Sequence, residues 1–600
     1  MTIRWSLVIM GAAASPAVAI AQQATAPVVH YTIRIDPADF ATYAVTVDIR
    51  GAPDTFTVAM AAHPEYDDKF WRYVEDLRTE PAHKTTIRRA DSALWNVRMP
   101  GGTGSIRYRI RPPVEPAPRA AWRPFVDSTG ALVGGPHSFM YITSATAAPS
   151  TLTLEMPAGW DAATGLLPAA EPRTWTAPSI DVLVESPVFV GKISSWRFTA
   201  GGKPHRVIYW PARGAVPFDT TAFVDGIKRM VEQGIALFGG APWREYTFIF
   251  RDAAWGGLEH ANSVTLGISS ANLAKDVHQH LPETAHEFIH AWNLMRIKPA
   301  EYQSVTWRPQ PQTAGLWFSE GLTIFYSDLL LRRAGLPVED STRIAHLESI
   351  LEAFLFNPGY TRFSAEQISR AAYNSSPDAL GDYTGGAHLY GEVLGAMLDL
   401  IVRDATSGKR SMDDVMRVML ERFDGKPGFR GPDIERAVED VCGCEVTPFF
   451  DAHVRAASRM DFDRYLALIG LRANVKWTPA SDREGRPGVD LRIWAYEQAA
   501  DQTLRVRVSN PESIWGKAGL HTGDKLVSVN GTAVKTWPEF RAQLTKARIG
   551  DTMRIEVTRP SGPFTATVVV SGYDRPTVRL EQLPAGSKAE ALRAAWLAGR

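Results

Sequence analysis

The sequence predicts a multidomain α+β protein, and three observations carry that expectation. Period-2 alternation recurs in short stretches from about 27 to 205: Tyr31, Ile33 and Ile35, then Tyr43, Val45 and Val47, alternate with polar residues. A helical period of 3.6 takes over at Pro282–Asn293 and persists through a run of segments from about 340 to 470. Alternation then returns after about 475. The chain has 600 residues, too many for one core. The expected units are an N-terminal β domain over 22–203, an α+β unit over 204–340, its helical continuation over 341–472, a small β-rich domain over 473–575 and a tail over 576–600.

Composition narrows the partners. Hydrophobic residues make up 45% and charged residues 22%, ordinary values for a folded protein. The 65 basic and 65 acidic side chains cancel, so charge gives no case for nucleic acid or an anionic membrane surface as partner. The first 21 residues read as a secretory signal peptide: Arg4 supplies the basic start, Trp5 to Ile20 the apolar run, and Ala19-Ile20-Ala21 the small-residue cleavage pattern. The expectation is an exported mature chain, periplasmic in a Gram-negative source, with no membrane span after cleavage. Cys442 and Cys444 are the two cysteines. They read either as small buried residues or as a tight local disulfide, not as a metal site.

Within 22–203 the strands Thr55–Val58, Ser105–Ile110 and Thr151–Met156 continue the alternation, with Pro and Gly between them, as in a β sandwich. No catalytic constellation stands out there, and the unit is expected to wall one side of a cleft. From 204 the character changes. Val207–Trp210 reads as a strand. Phe223, Ile227, Met230, Val231, Ile235 and Phe238 mark an amphipathic helix ended by Gly239-Gly240. Tyr246–Phe250 is a strand, Trp255-Gly-Gly-Leu-Glu-His260 a loop, and Ser263–Ile268 a candidate edge strand.

Next comes Pro282-Glu-Thr-Ala-His-Glu-Phe-Ile-His-Ala-Trp-Asn293. Residues four apart on a helix share a face, so His286 and His290 can hold one Zn²⁺ while Glu287 reaches a water on it. Ala285, Phe288, Ile289, Trp292 and Met295 supply the buried stripe. The next helix, Gly315–Leu331, carries one glutamate, Glu320, in an apolar run. Burying it is costly unless it is paired or bound to a cation, so it is the candidate third ligand. Glu301, nearer in sequence, is the competitor. After 475, the segment Ile514–Leu526, the Asn530-Gly531 turn and the helix Pro538–Ala547 resemble a bacterial PDZ domain. Its carboxylate-binding loop would be Gly488–Leu491, and its partner a peptide or protein C-terminus.

HEFIHAWN, the downstream WFSEG, the upstream GGLEH and the PDZ-like end, in that order, resemble the glycyl aminopeptidase family of zinc metallopeptidases. The resemblance implies a catalytic fold shared with aminopeptidase N and thermolysin. It implies one zinc per chain on His286, His290 and Glu320, with Glu287 as general base. Gly256-Gly257-Leu258-Glu259 resembles the Gly-x-Met-Glu-Asn loop of related aminopeptidases, which makes Gly256 and Gly257 substrate-binding positions. It makes Glu259 the group that takes the substrate's free α-ammonium. The substrates implied are peptides with a free N-terminus, beginning with small residues such as Gly or Ala; an endopeptidase of the same fold and a catalytically weakened peptide-binding protein are the alternatives. The family's oxyanion-stabilising Tyr is displaced here. The segment Asp382–Glu392 puts His388 in its register, with Tyr383 and Tyr390 as the other candidates.

Overall fold

The computed structural model describes residues 26–62, 69–114, 119–302, 305–309, 311–338, 342–372, 379–482, 484–498, 503–584 and 586–599. The signal peptide expected over 1–21 lies outside them.

The N-terminal unit is β throughout. Val28–Arg34 pairs antiparallel with Tyr43–Arg50 and parallel with Ser150–Glu155, inside a seven-stranded sheet. Alternation decides its faces: Tyr31, Ile33, Val45 and Val47 point inward, where they share one core with Phe56, Val58, Trp95 and Val97 of a four-stranded sheet. A further four-stranded sheet, including Phe125–Val126 and Val188–Gly191, packs Phe125 and Phe189 against Trp210 of the next unit.

That next unit is built on a five-stranded sheet in the order Ser194–Ala200, Lys203–Trp210, Tyr246–Asp252, Ser263–Ile268, Gly257–Glu259. Its first strand lies upstream of position 204, so the sheet begins before the change in sequence character. Lys203–Trp210, Tyr246–Asp252 and Ser263–Ile268 are parallel neighbours, and the helix Thr220–Phe238 makes the crossover between the first two. Asp219 caps that helix and Gly239, at φ 76°, ends it. The expected edge strand Ser263–Ile268 is not the edge. It is buried at every residue, and Gly257–Glu259, read as a loop, pairs antiparallel outside it. Two consecutive glycines hide a three-residue strand from any alternation test.

The helices after 315 cover this sheet. Leu316–Arg333 is buried on nearly every face, since Ala387–Ala405 packs directly along it. Glycine makes that approach possible: a Cβ on Gly391 would lie 1.7 Å from the Trp317 carbonyl oxygen, and one on Gly321 2.2 Å from the Gly391 Cα. Cys442, the last residue of the helix Gly431–Cys442, is joined to Cys444 as a disulfide.

Leu471–Pro479 leaves the helical region and pairs with the returning strand Asp574–Gln582. Between them the PDZ-like domain has its own core, with Val506, Trp515, Phe540 and Ile555. Asn530 and Gly531, at φ 50° and 76°, form the expected hairpin turn. The expected carboxylate loop is satisfied from within: Asp490 accepts from its neighbour's backbone, Arg492 N at 3.1 Å, and pairs with the Arg492 guanidinium at 2.8 Å. Ile493 N donates to the Leu491 carbonyl. Within the tail expected over 576–600 the described residues hold the end of a strand, to Gln582, and a helix. The helix Ser587–Leu597 buries Leu592 and Trp596 in the large core, with Arg343 stacked 4.4 Å over Trp596. Burying such side chains stabilises by about 1.5–3 kcal/mol each, and their partners lie over a hundred residues away in sequence. Among the described residues no helix is long and apolar enough to cross a membrane.

Candidate active site

The site forms where the helix Leu281–Ile289 runs beside the edge strand Gly257–Glu259. Phe288 packs on Trp243 and Tyr246, which fixes the roll of the helix and turns His286 and Glu287 toward the cleft. The helix stops at Ile289, four residues before the end expected from the Pro282–Asn293 period. His290 nevertheless keeps α backbone angles (φ −57°, ψ −20°), so it still stands one turn beyond His286. Their Nε2 atoms are 3.2 Å apart.

Glu320 comes from the next helix. Its Oε2 is 3.4 Å from His286 Nε2 and 3.3 Å from His290 Nε2. These three separations describe a nearly equilateral triangle. Ligands at the 2.0–2.1 Å of a tetrahedral Zn²⁺ site stand about 3.3–3.4 Å apart, the edge of the tetrahedron. The donor set therefore has the chemistry and the size of three corners of such a site. Glu301, the alternative ligand, accepts from Thr313 Oγ1 at 3.0 Å instead.

Electrostatics reinforce the triangle. Burial alone would raise the Glu320 carboxyl, but the imidazoles of His388, His290 and His286 hold it well below the usual carboxylate range. Burial would lower His290, yet the Glu320 and Glu259 charges push it up to about 10. His286 is carried by burial to about 4. The surrounding carboxylates thus favour a positive charge at this point. His290 Nδ1 donates to the Asn293 carbonyl at 2.8 Å, leaving Nε2 aimed at the triangle. Asn293 is buried and donates from Nδ2 to the Ser319 carbonyl at 2.9 Å and Thr323 Oγ1 at 3.1 Å. One side chain thereby ties the two ligand-bearing segments together. Asn293 closes the HEFIHAWN run, and its sequence signal is no more than an amide three residues beyond the second His.

Donor atoms of Glu259, Glu287 and His290 lie within 4.8 Å of one another. Burial pushes the Glu287 carboxyl well above the usual range, and the Glu259 charge adds to this. Gly257 is required for the approach: a Cβ there would fall 2.4 Å from Glu287 Cγ. Gly256, at φ 73°, turns the chain into the edge strand. Glu259 also lines a cavity of about 530 Å³ with Trp243, Leu294 and Met295.

The three oxyanion candidates part company. His388 Nε2 is 3.1 Å from Glu320 Oε2 and its ring lies 5.5 Å from that of His286, with the side chain 45% exposed to the cleft. Burial opposes its charge, but Glu320 outweighs that and raises it. Tyr390, two residues on, faces the opposite side of the helix and packs into the core against Phe354 and Tyr360. Tyr383 sits against Phe363 in the preceding loop. Only His388 of the three is brought to the ligand set by a described contact.

Family models match the chain in three places: the M61 glycyl aminopeptidase over residues 280–385, the peptidase M61 N-terminal domain over 30–192, and the PDZ domain over 490–570. An aminopeptidase N family protein from Idiomarina loihiensis has the same fold, with a TM-score of 0.75 at 21% identity, covering 95% of this chain and 100% of that one. An M1 zinc metallopeptidase from Deinococcus radiodurans aligns less well, with a TM-score of 0.43 at 16% identity over 70% of this chain and 90% of that one. The Regulator of sigma-E protease RseP of Escherichia coli is 28% identical over 103 residues, 15% of this chain and 23% of that protein. This chain thus matches less than a quarter of that relative's length. Models of the M61 glycyl aminopeptidase and of its N-terminal domain thus match in order and are followed by a PDZ domain, which makes the chain similar to the M61 peptidases along its length.

Proposed function

We propose that this protein is an exported, zinc-dependent aminopeptidase that removes small first residues, of the Gly or Ala type, from peptides. The observation that carries the reading is the triangle of His286, His290 and Glu320, with separations of 3.2 to 3.4 Å. A single zinc bound there supplies Lewis acidity toward the scissile carbonyl and toward water. Glu287 is the general base: its raised affinity for protons suits taking one from water and returning it to the leaving amine. His388 offers a hydrogen bond to the oxyanion from the half-open side. Glu259, beside Glu287 at the end of the edge strand, pairs with the α-ammonium. Two carboxylates facing one cleft favour a substrate that brings a positive charge, which supports an exopeptidase over an endopeptidase. The family's description supports the small first residue, and the leader over 1–21 supports export.

Aminoacyl-coumarin and tripeptide substrates, free and N-acetylated, test the reading. Cleavage of the free forms, with loss of at least about a hundredfold on acetylation, is expected. Equal cleavage of capped peptides contradicts the Glu259 role. The cavity of about 530 Å³ beside Glu259 motivates a second reading at the same site, a larger apolar first residue. A preference for Leu over Gly in the same panel would select it.

A further inference from the structure

Along the edge strand the chain presents, in spatial order, Glu259, then Gly257 against Glu287, then the Gly256 turn, then Trp255. Trp255 is 54% exposed, unusual for so large an apolar side chain. It is also held in place. Its ring meets Trp122 edge to face at 5.4 Å between centroids and 77° between planes. Trp122 belongs to the N-terminal unit, and its ring fills the space where a Gly256 Cβ would sit, 2.8 Å from that position. The backbone beneath is fixed as well: Ala254–Trp255 pairs with Arg119–Ala120, and Ala121 N donates to the Trp255 carbonyl at 3.0 Å. Buried Arg251 donates to the carbonyls of Ala120 and Arg123 at 3.2 Å and stacks 4.2 Å from the Phe125 ring. An exposed aromatic ring held rigid by a half-buried one is a preorganised apolar surface.

The direction of the strand says which part of a peptide it meets. This step rests on the proposed peptidase reading, in which Glu259 holds the first residue and Glu287 faces the bond to be cut. A strand advances about 3.3 Å per residue, so a peptide running along the edge from Glu259 passes Glu287 and then reaches Trp255 with the residues beyond the scissile bond. We infer that Trp255, backed by Trp122, is a specificity-determining subsite for an apolar or aromatic side chain on the leaving fragment, and that the N-terminal β unit builds half of it.

Binding to the full-length zinc-loaded Glu287→Gln protein tests this without requiring turnover. Calorimetry compares Gly-Gly-Gly with Gly-Phe-Phe and Gly-Leu-Leu, in the Glu287→Gln background and with Trp255→Ala, Trp255→Gln or Trp255→Phe added. The apolar tripeptides should bind about five- to tenfold more tightly than Gly-Gly-Gly. Trp255→Ala and Trp255→Gln should each remove that preference, and Trp255→Phe should keep most of it. In the turnover-competent protein the loss should appear in KM for the apolar peptides, with kcat little changed. An apolar preference that survives both Trp255→Ala and Trp255→Gln, or no preference in the Glu287→Gln protein, overturns the inference. Tight binding with the Trp255 effect but no hydrolysis by the native protein supports the subsite while contradicting the peptidase reading.

Discussion

Asn293 and Ser319 are joined by a 2.9 Å hydrogen bond from the Asn293 Nδ2 to the Ser319 carbonyl, one residue before Glu320. The same Asn293 supplies the carbonyl that orients His290. The spacing of the triangle therefore depends on a residue that contributes none of its three donor atoms. Asn293→Ala keeps the backbone carbonyl that orients His290 but cuts the side-chain tie to Ser319 and Thr323, and should weaken zinc binding by about 10-fold, the lower end of what losing an outer-shell support costs. Competition against a graded chelator measures this, and an unchanged affinity would remove Asn293 from the account.

Gly391 permits the closest helix contact in the site region, with the Trp317 carbonyl 1.7 Å from where a Cβ would lie. Gly391→Ala must push the two helices apart, and His388 rides on one of them while Glu320 rides on the other. A loss of at least about 1–3 kcal/mol in stability is expected, with a fall in activity larger than the folded fraction explains. Denaturant melts and specific activity on the same samples separate the two effects.

His137 gives an acid-sensitivity prediction away from the metal site. It is fully buried beside Phe70, and burial carries its imidazole down to about 3. The unfolded chain takes up this proton near pH 6.5 and the folded one only near 3, so stability falls as pH drops from about 6.5 toward 3. The slope from this group is about 1.4 kcal/mol per pH unit. Replacing His137 with Gln should flatten that part of the stability profile; an unaltered profile between pH 6 and 4 would contradict the assignment.

At the PDZ-like domain, Asp490 occupies the Arg492 N–H and neutralises its guanidinium. A peptide's terminal carboxylate finds these donors taken. Peptides ending in a carboxylate or in an amide should therefore bind within about twofold of each other, and Asp490→Ala should create a preference for the acid. Fluorescence polarisation of paired peptides measures both.

What was legible in the sequence was local. The His286–His290 spacing needs only helix geometry, and Glu320 is the one glutamate in a largely apolar helix. The N-terminal strands announced themselves by alternation at Tyr31–Ile35 and Tyr43–Val47. The rest depended on contacts between distant segments. The edge strand at Gly257–Glu259 has too few side chains to show a period, so alternation alone points to Ser263–Ile268 as the edge. The helix Ser587–Leu597 is held by Trp596 and Leu592 meeting a core assembled far upstream. His388 and Tyr390 differ by two positions, which on a helix means opposite faces, and only the packing against Phe354 and Tyr360 shows which way each points.

The central claim is that His286, His290 and Glu320 hold one zinc that hydrolysis requires. Metal content by inductively coupled plasma mass spectrometry, paired with activity on a free tripeptide, tests it on the native protein and on Glu320→Ala, His286→Ala and Glu287→Gln. The account predicts about one zinc per chain in the native protein and in Glu287→Gln, zinc largely lost from the two ligand variants, and activity only in the native protein. Full zinc occupancy in Glu320→Ala and His286→Ala, or undiminished turnover in Glu287→Gln, would contradict it.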